Sequence, residues 1–196
     1  MLCGMPITSR IRTLAVRQSA RGQGLVEFAI VLPVLAVLLF GIIQFGMIFG
    51  AQVGLTNAVR EAARYASTSP VSTTSGTTGL VNATYCYLTG TARAGAPTCT
   101  QPGIVKQYVL GYNPSKLDTA NTSVTYCSYT DPGGSTSSIR VIVKITYNHP
   151  LFIPLISSIV DGVDGTPMDG ALTGSASEQF RVENAPLNST DITACP

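Results

Sequence analysis

The sequence predicts an α+β fold in which a long N-terminal membrane-spanning helix extends into a small antiparallel β-sheet domain. Three observations carry this prediction. The 22 residues of Phe28–Phe49 contain one strongly polar side chain, Gln44. The next stretch, Ala51–Ser67, keeps a helical spacing of apolar residues. Further on, Ile139–Tyr147 alternates apolar and polar residues, as a half-buried strand does.

The apolar run has the length of a membrane span. A helix of 22 residues is roughly 33 Å long, enough for a hydrocarbon core of ~30 Å. A cleaved secretory signal peptide is the alternative, but its apolar core has roughly 7–15 residues. This run is longer, and the helical pattern continues past it.

Basic residues before the span predict its orientation. The chain upstream of Glu27 has no acidic residue and four arginines, namely Arg10, Arg12, Arg17 and Arg21. Since positive charge stays on the cytoplasmic side, we expect a cytoplasmic N-terminus and an extracytoplasmic C-terminal domain.

The second half of the predicted helix is amphipathic. Its apolar face comprises Leu55, Ala58, Val59, Ala62, Ala63 and Ala66. Arg60, Glu61 and Arg64 lie off that face, and Glu61 can pair with Arg64 one turn on. This half is therefore expected to pack on a domain. Pro33, in the first half, removes a backbone donor and is expected to loosen or kink the helix.

Three glycines, Gly46, Gly50 and Gly54, recur at four-residue spacing along the helix. Small residues on one face allow a second helix to approach closely. Glycine is also simply common in membrane helices, so both interpretations stay open.

The carboxylate of Glu27 stands at the edge of the apolar run, where two interpretations apply. An interfacial glutamate can reach headgroup water, or it can meet a positive charge inside the membrane. Cleavage after Gly22 would free an α-amino group on Gln23 and make Glu27 the fifth residue of the mature chain. Burying the two charges as a pair lowers the desolvation cost of each. Such a pair between staggered subunits would favour one axial register.

A basic leader, then glycine, four residues and Glu-Phe before an apolar helix resembles the cleavage region of type IV pilins and pseudopilins. More closely, "GQGLVEFAIVLPVLAVLLFGIIQFG" followed by "TNAVREAARYAS" resembles the TadE family of the Tad (tight adherence) apparatus, which builds Flp pili. The matching positions are Gly22, Gln23, Glu27, Phe28, Pro33, Gly41, Phe45, Gly46, Asn57, Ala58, Arg60, Glu61, Ala62, Ala63, Arg64 and Tyr65. One departure is Gly24, where many members have alanine.

The resemblance implies a pilin-like fold. It also implies a minor pilin or pseudopilin that takes part in assembling a pilus for surface adhesion. A prepilin peptidase would cut between Gly22 and Gln23, and Glu27 with Phe28 would set subunit register. Expected partners are other pilin subunits, this peptidase, Tad assembly platform proteins and membrane lipid. The alternative is a single-pass envelope binding module that never enters a filament.

The rest of the chain divides by composition. We predict a leader over 1–22, the helix over 23–66, a Ser/Thr-rich linker over 67–79 and a β-rich domain over 80–196. The predicted strands are Ala83–Leu88, Ile104–Leu110, Ser123–Tyr129, Ile139–Tyr147 and Ser177–Val182. Pro150–Val160 is expected to be a short helix or an apolar cover, because it is too short and too rich in proline to span a membrane.

Cysteine and charge bound the chemistry of the outer domain. Cys3 lies in the leader, and four more cysteines follow the span, which predicts two disulfides outside the cytoplasm. Three pairings are possible; we favour Cys86–Cys99 with Cys127–Cys195, since the first closes a short loop and the second ties down the tail. The sequence contains no CxxC spacing of the kind that indicates a zinc site, and His149 is its sole histidine. We therefore expect no enzyme, metal or cofactor, and a net charge of +2 gives no basic footprint for nucleic acid.

Overall fold

A computed structural model describes most of the chain. It covers residues 22–69, 76–130, 132–133, 137–153, 170–183 and 192–196. The four leader arginines, residues 70–75 of the predicted linker and most of Pro150–Val160 lie outside these described residues. The chain forms two compact units, Met1–Leu39 and Phe40–Pro196.

Helices and strands follow one another in an α+β order, as predicted. The helices are α1 (Gln23–Thr68), α2 (Gly76–Thr89) and α3 (Val105–Tyr108), followed by a 3-10 turn over Pro114–Lys116. The strands are β1 (Ser123–Thr130), β2 (Ser137–Pro150), β3 (Ala171–Arg181) and β4 (Thr193–Ala194).

In the first unit, α1 is helical from Gln23 and carries its apolar side chains on the outside. Pro33 lies within the helix, which continues through it. The large apolar residues of this stretch, from Leu25 to Leu39, are exposed. By its length and composition, α1 is the one helix among the described residues that is able to cross a membrane.

In the second unit, the amphipathic half of α1 packs as its sequence predicts. Each residue of the predicted apolar face, from Leu55 to Ala66, is fully buried. The described residues show no ion pair between Glu61 and Arg64. Instead Arg60 Nε donates to Glu178 Oε1 on β3 at 2.8 Å. Because Arg60 is exposed, this ion pair contributes little to stability.

The sheet has the strand order β3-β2-β1-β4. Its central strand β2 pairs antiparallel with both β1 and β3, which confirms the predicted antiparallel sheet. The short β4 pairs in parallel with β1. Along β2 the predicted apolar face is confirmed, because Val141, Val143, Ile145 and Tyr147 are all buried.

Two further polar contacts join α1 to this sheet. Tyr126 Oη donates to the Ala66 carbonyl at 3.2 Å, and burial raises the pKa of this tyrosine to about 12. Gln52 Nε2 donates to the Ser175 carbonyl at 2.7 Å. Both bonds join residues far apart in sequence, so they fix how the helix lies on the sheet.

The predicted strand at Ala83–Leu88 is wrong, because these residues belong to α2. Threonine and tyrosine favour strands, but Leu80, Thr84 and Leu88 are buried at four-residue spacing. That helical periodicity begins at Leu80, before the predicted strand. α2 itself begins at Gly76, within the stretch predicted to be linker.

The predicted strand at Ile104–Leu110 is also wrong, because its centre is the short helix α3. Val105 and Val109 are buried one helical turn apart. The strand predicted over Ser177–Val182 does form, but β3 starts six residues earlier, at Ala171. Small residues such as Gly174 and Ser175 gave no strand pattern there, and pairing with β2 makes the strand.

Two disulfides cross-link the domain that follows α1. Cys86 of α2 is bonded to Cys99, and Cys127 of β1 is bonded to Cys195, next to β4. These are the pairings that the sequence favoured. The second one holds the end of the chain on the sheet, where Cys195 N also donates to the Ser128 carbonyl at 2.9 Å.

Candidate functional site

The predicted cleavage residue lies at the very start of the long helix. Gly22 is an exposed turn residue, and α1 begins at the next residue, Gln23. The Gly22 carbonyl accepts the first helical hydrogen bond, from Val26 N at 3.2 Å. Hydrolysis of the Gly22–Gln23 bond would therefore remove no residue of the helix and leave its first residue as the new N-terminus.

Glu27 lies one helical turn after Gln23. Gln23 Nε2 donates to Glu27 Oε1 at 3.3 Å, and both side chains are exposed. Phe28, the other predicted assembly residue, is also exposed. The first turn thus brings the carboxylate to the same side as Gln23, and this closeness is the geometric requirement for an interaction with an amine at that end of a helix.

An amine at that position meets an electrostatic problem that Glu27 can relieve. The N-terminus of a helix carries a partial positive charge, which disfavours another cation and favours an anion nearby. A carboxylate one turn along the helix compensates both charges. The chemistry that this end of α1 supports is therefore ion pairing of Glu27 with an amine, either its own or that of another chain.

Comparison with known proteins now adds to this geometry. Residues 22–64 match the family described as TadE-like protein. The TadE-like segment thus begins at the predicted cleavage glycine and ends within the buried half of α1. This local match is consistent with a TadE-like protein of the Tad system. No curated protein and no solved structure matches the chain.

The three glycines at four-residue spacing, Gly46, Gly50 and Gly54, differ in their surroundings. A side chain at Gly46 or Gly50 would meet nothing within 4 Å. A side chain at Gly54 would run into the backbone carbonyl of Tyr108, at the end of α3. Gly54 therefore permits a close contact within this chain, whereas Gly46 and Gly50 leave an open surface on which the predicted helix contact stays a prediction.

Gln44 joins the helix to the segment that follows β2. The sequence marks it as the lone polar side chain of the apolar run, yet it is 1% exposed. Its Oε1 accepts a hydrogen bond from Phe152 N at 3.2 Å. In the described part of the chain its Nε2 has no partner. Sequence reasoning had no means to find this contact, since Phe152 lies 108 residues away.

His149, near the end of β2, is buried beside the ring of Tyr147, with 4.8 Å between ring centroids. Its Nε2 has no hydrogen-bond partner among the described residues. Burial lowers the pKa of His149 below its ordinary value of 6.5, because the charged form loses water. His149 is therefore a buried residue of the strand and not an exposed turn residue.

Substitution of Gly54 is expected to separate the inner contact from the open surface. In Gly54→Ala the new methyl group must displace the Tyr108 backbone, which costs about 1–3 kcal/mol of unfolding free energy. Gly50→Ala is the matched control and should be neutral or slightly stabilising, since alanine is the better helix former. Chemical denaturation of both variants in the same detergent checks this. Equal stability of the two would contradict the close contact at Gly54.

Burial of His149 predicts a loss of stability as the pH falls. The folded-state pKa lies below the unfolded value of 6.5. This contribution is therefore fully present above pH 6.5 and is lost as the pH falls from there through the folded pKa. The thermal midpoint should drop between pH 7 and pH 5, and His149→Phe should flatten that drop. An unchanged pH dependence in the variant would show that other groups cause it.

Proposed function

We propose that this protein is a minor pilin or pseudopilin that takes part in assembling a Tad-type pilus for surface adhesion. One observation carries the proposal. The TadE-like match begins at Gly22, and Glu27-Phe28 follows at the spacing that a prepilin peptidase substrate requires. The exposed peptide bond at the helix start supports the same reading.

Leader removal and Glu27 have linked roles in this proposal. The peptidase cuts after Gly22 while the leader is cytoplasmic and α1 is in the membrane. The cut leaves a cationic amine on Gln23, and the Glu27 carboxylate of an adjoining subunit takes it up. A charge in the membrane core costs roughly 2.5–3.5 kcal/mol on insertion scales. Pairing the two charges offsets part of that cost only in the register where they meet, so one stagger between subunits is favoured.

The exposed surface of α1 fits a helix that is covered first by lipid and then by neighbouring helices. Large apolar side chains project from Leu25 to Phe49 on all sides. Gly46 and Gly50 leave two places on this surface where another helix can approach without a clash. The same stretch thus serves as membrane anchor before assembly and as filament core after it.

A single-pass binding module that stays in the membrane is the second candidate function. It is favoured by the same apolar helix and by a disulfide-closed domain that projects from it. In that case nothing needs the amine of Gln23, and Glu27 is an interfacial carboxylate solvated by headgroup water.

Removing the charge of Glu27 separates the two functions. Glu27→Gln keeps the size and hydrogen-bonding capacity of the side chain but leaves the neighbour's amine unpaired. An unpaired buried charge costs about 3–5 kcal/mol, so we expect pilus yield to fall by at least about tenfold. The measurement is sheared surface pili per cell, with membrane content of the variant quantified beside it.

Glu61→Gln is the matched control, since it removes a carboxylate from the amphipathic half of the same helix. We expect normal piliation from this variant and normal membrane insertion from both. If Glu27→Gln cells made as many pili as the wild type, the anchored binding module would be the better account.

A further inference from the structure

A group of exposed apolar side chains surrounds the place where α1 meets the sheet domain. We call Met47, Tyr108, Leu110 and Phe152 the apolar collar. All four line one cavity of about 490 Å³, together with helix residues such as Ile43. Leu110 is 93% and Phe152 68% exposed. Among the described residues that line the cavity none is an aspartate, glutamate, lysine or arginine, although Gln44 and His149 are polar.

The fold holds the collar in place. Leu110 stands at the tip of a turn that is closed by Tyr112 N and the Val109 carbonyl at 3.2 Å. Gly111 supplies the positive φ of +71° that this turn needs. Phe152 is fixed from the other side, because its backbone N–H bonds to Gln44. Turn tips in water usually carry polar residues, so a rigidly presented leucine indicates an apolar environment.

We propose that the apolar collar is a membrane-contact surface, which seats the sheet domain in the outer boundary of the bilayer beside its own helix. The occupant of this surface is lipid: acyl chains enter the cavity, and the headgroup region lies against Tyr108. The proposal rests on the proposed membrane insertion of α1 and adds that the domain itself touches the bilayer.

Residue count places the collar at the right depth. About 20 helical residues cross the hydrocarbon core. Counting from Glu27 at the inner boundary, the outer boundary falls at about Met47, which is a collar residue. Tyrosine is enriched at that level of membrane proteins, where its ring is in apolar surroundings and its hydroxyl in water. Tyr108 is 43% exposed and lies in the collar beside Leu110.

Continuity of the apolar surface favours lipid over a second copy of the chain. Within the second unit, exposed apolar side chains of α1 run without a charged residue from Phe40 to Phe49, and the collar extends this surface onto the domain. A surface that continues a membrane span meets lipid as soon as the protein is inserted, before any partner subunit arrives. A second copy is the rival occupant, and the test below distinguishes it.

The chain contains no tryptophan, so a single introduced tryptophan reports its own surroundings. Leu110→Trp and Phe152→Trp place the reporter in the collar. Phe40→Trp places it in the middle of the apolar run. Tyr129→Trp is the control at the opposite end of the sheet, paired with Ser138 of β2. It keeps an aromatic ring under the Arg140 side chain, which lies 3.5 Å from the ring centroid.

Each full-length variant is reconstituted in vesicles of phosphatidylcholine with plain or brominated acyl chains, and acrylamide in the water serves as the second quencher. If the collar lies about 5–10 Å into the headgroup and acyl boundary, bromine should quench more than half of the tryptophan emission of either collar variant. Tyr129→Trp should lose its emission to acrylamide and not to bromine.

Four results would overturn the proposal or the membrane insertion on which it rests. Collar tryptophans quenched by acrylamide as strongly as Tyr129→Trp would mean that the collar faces water. Collar tryptophans shielded from both quenchers, with shielding lost on dilution of protein in lipid, would mean that a second copy covers them. If bromine did not quench Phe40→Trp, the membrane insertion of α1 would be contradicted. If bromine quenched Phe40→Trp but neither collar tryptophan, only the seating of the domain in the bilayer would be contradicted.

Discussion

The structure depends on one uncompensated surface: the apolar half of α1, exposed from Leu25 to Phe49 with a single carboxylate, Glu27, at its start. Exposure of such an apolar surface to water is unfavourable. Among the described residues, the domain covers only the side of it around Gln44. Lipid can cover the side chains, but it cannot neutralise a carboxylate. In the proposed pilin, Glu27 therefore requires a positively charged partner, and cleavage after Gly22 would supply one as the α-amino group of Gln23.

The sequence of α1 changes near Ala51 from an apolar helix with exposed side chains to an amphipathic one. Before that residue the large apolar side chains point outward in all directions; after it a narrow face of alanines packs on the sheet and the charged residues turn outward. Small residues bring the backbone of α1 close to the domain, and Gly54 is the extreme case. Gln44 lies near the same boundary, since its Oε1 accepts a hydrogen bond from the domain, at Phe152 N. The proposed collar lies at this boundary for the same reason.

Periodicity made the main elements predictable, and long-range contacts made the remainder unpredictable. The buried face of α1 and the alternation of β2 follow from spacings of 3.6 and two residues, which a single sequence displays. α2 was missed because Thr84, Tyr85 and Tyr87 favour strands locally, while packing of Leu80 and Leu88 in the core overrode that preference. The prediction for β3 was too short because, in the first half of the strand, Thr173 stands among small residues that do not favour strands.

The candidate site divides in the same way. Gly22, Gln23 and Glu27 are local in sequence, so their closeness in the first helical turn was predictable. The contact between Gln44 and Phe152 joins residues 108 positions apart, and the collar exists only once Leu110 and Phe152 have come together on the folded domain. Properties of that kind depend on the tertiary structure and leave no local pattern.

The most direct test of the account is the identity of the mature N-terminus. The protein would be extracted from membranes of a cell with an active prepilin peptidase, and its intact mass and N-terminal peptide would be read by mass spectrometry. The account predicts a chain that begins at Gln23. A chain that keeps the arginine-bearing leader joined to Gly22 would contradict it, because Glu27 would then have no new amine to meet.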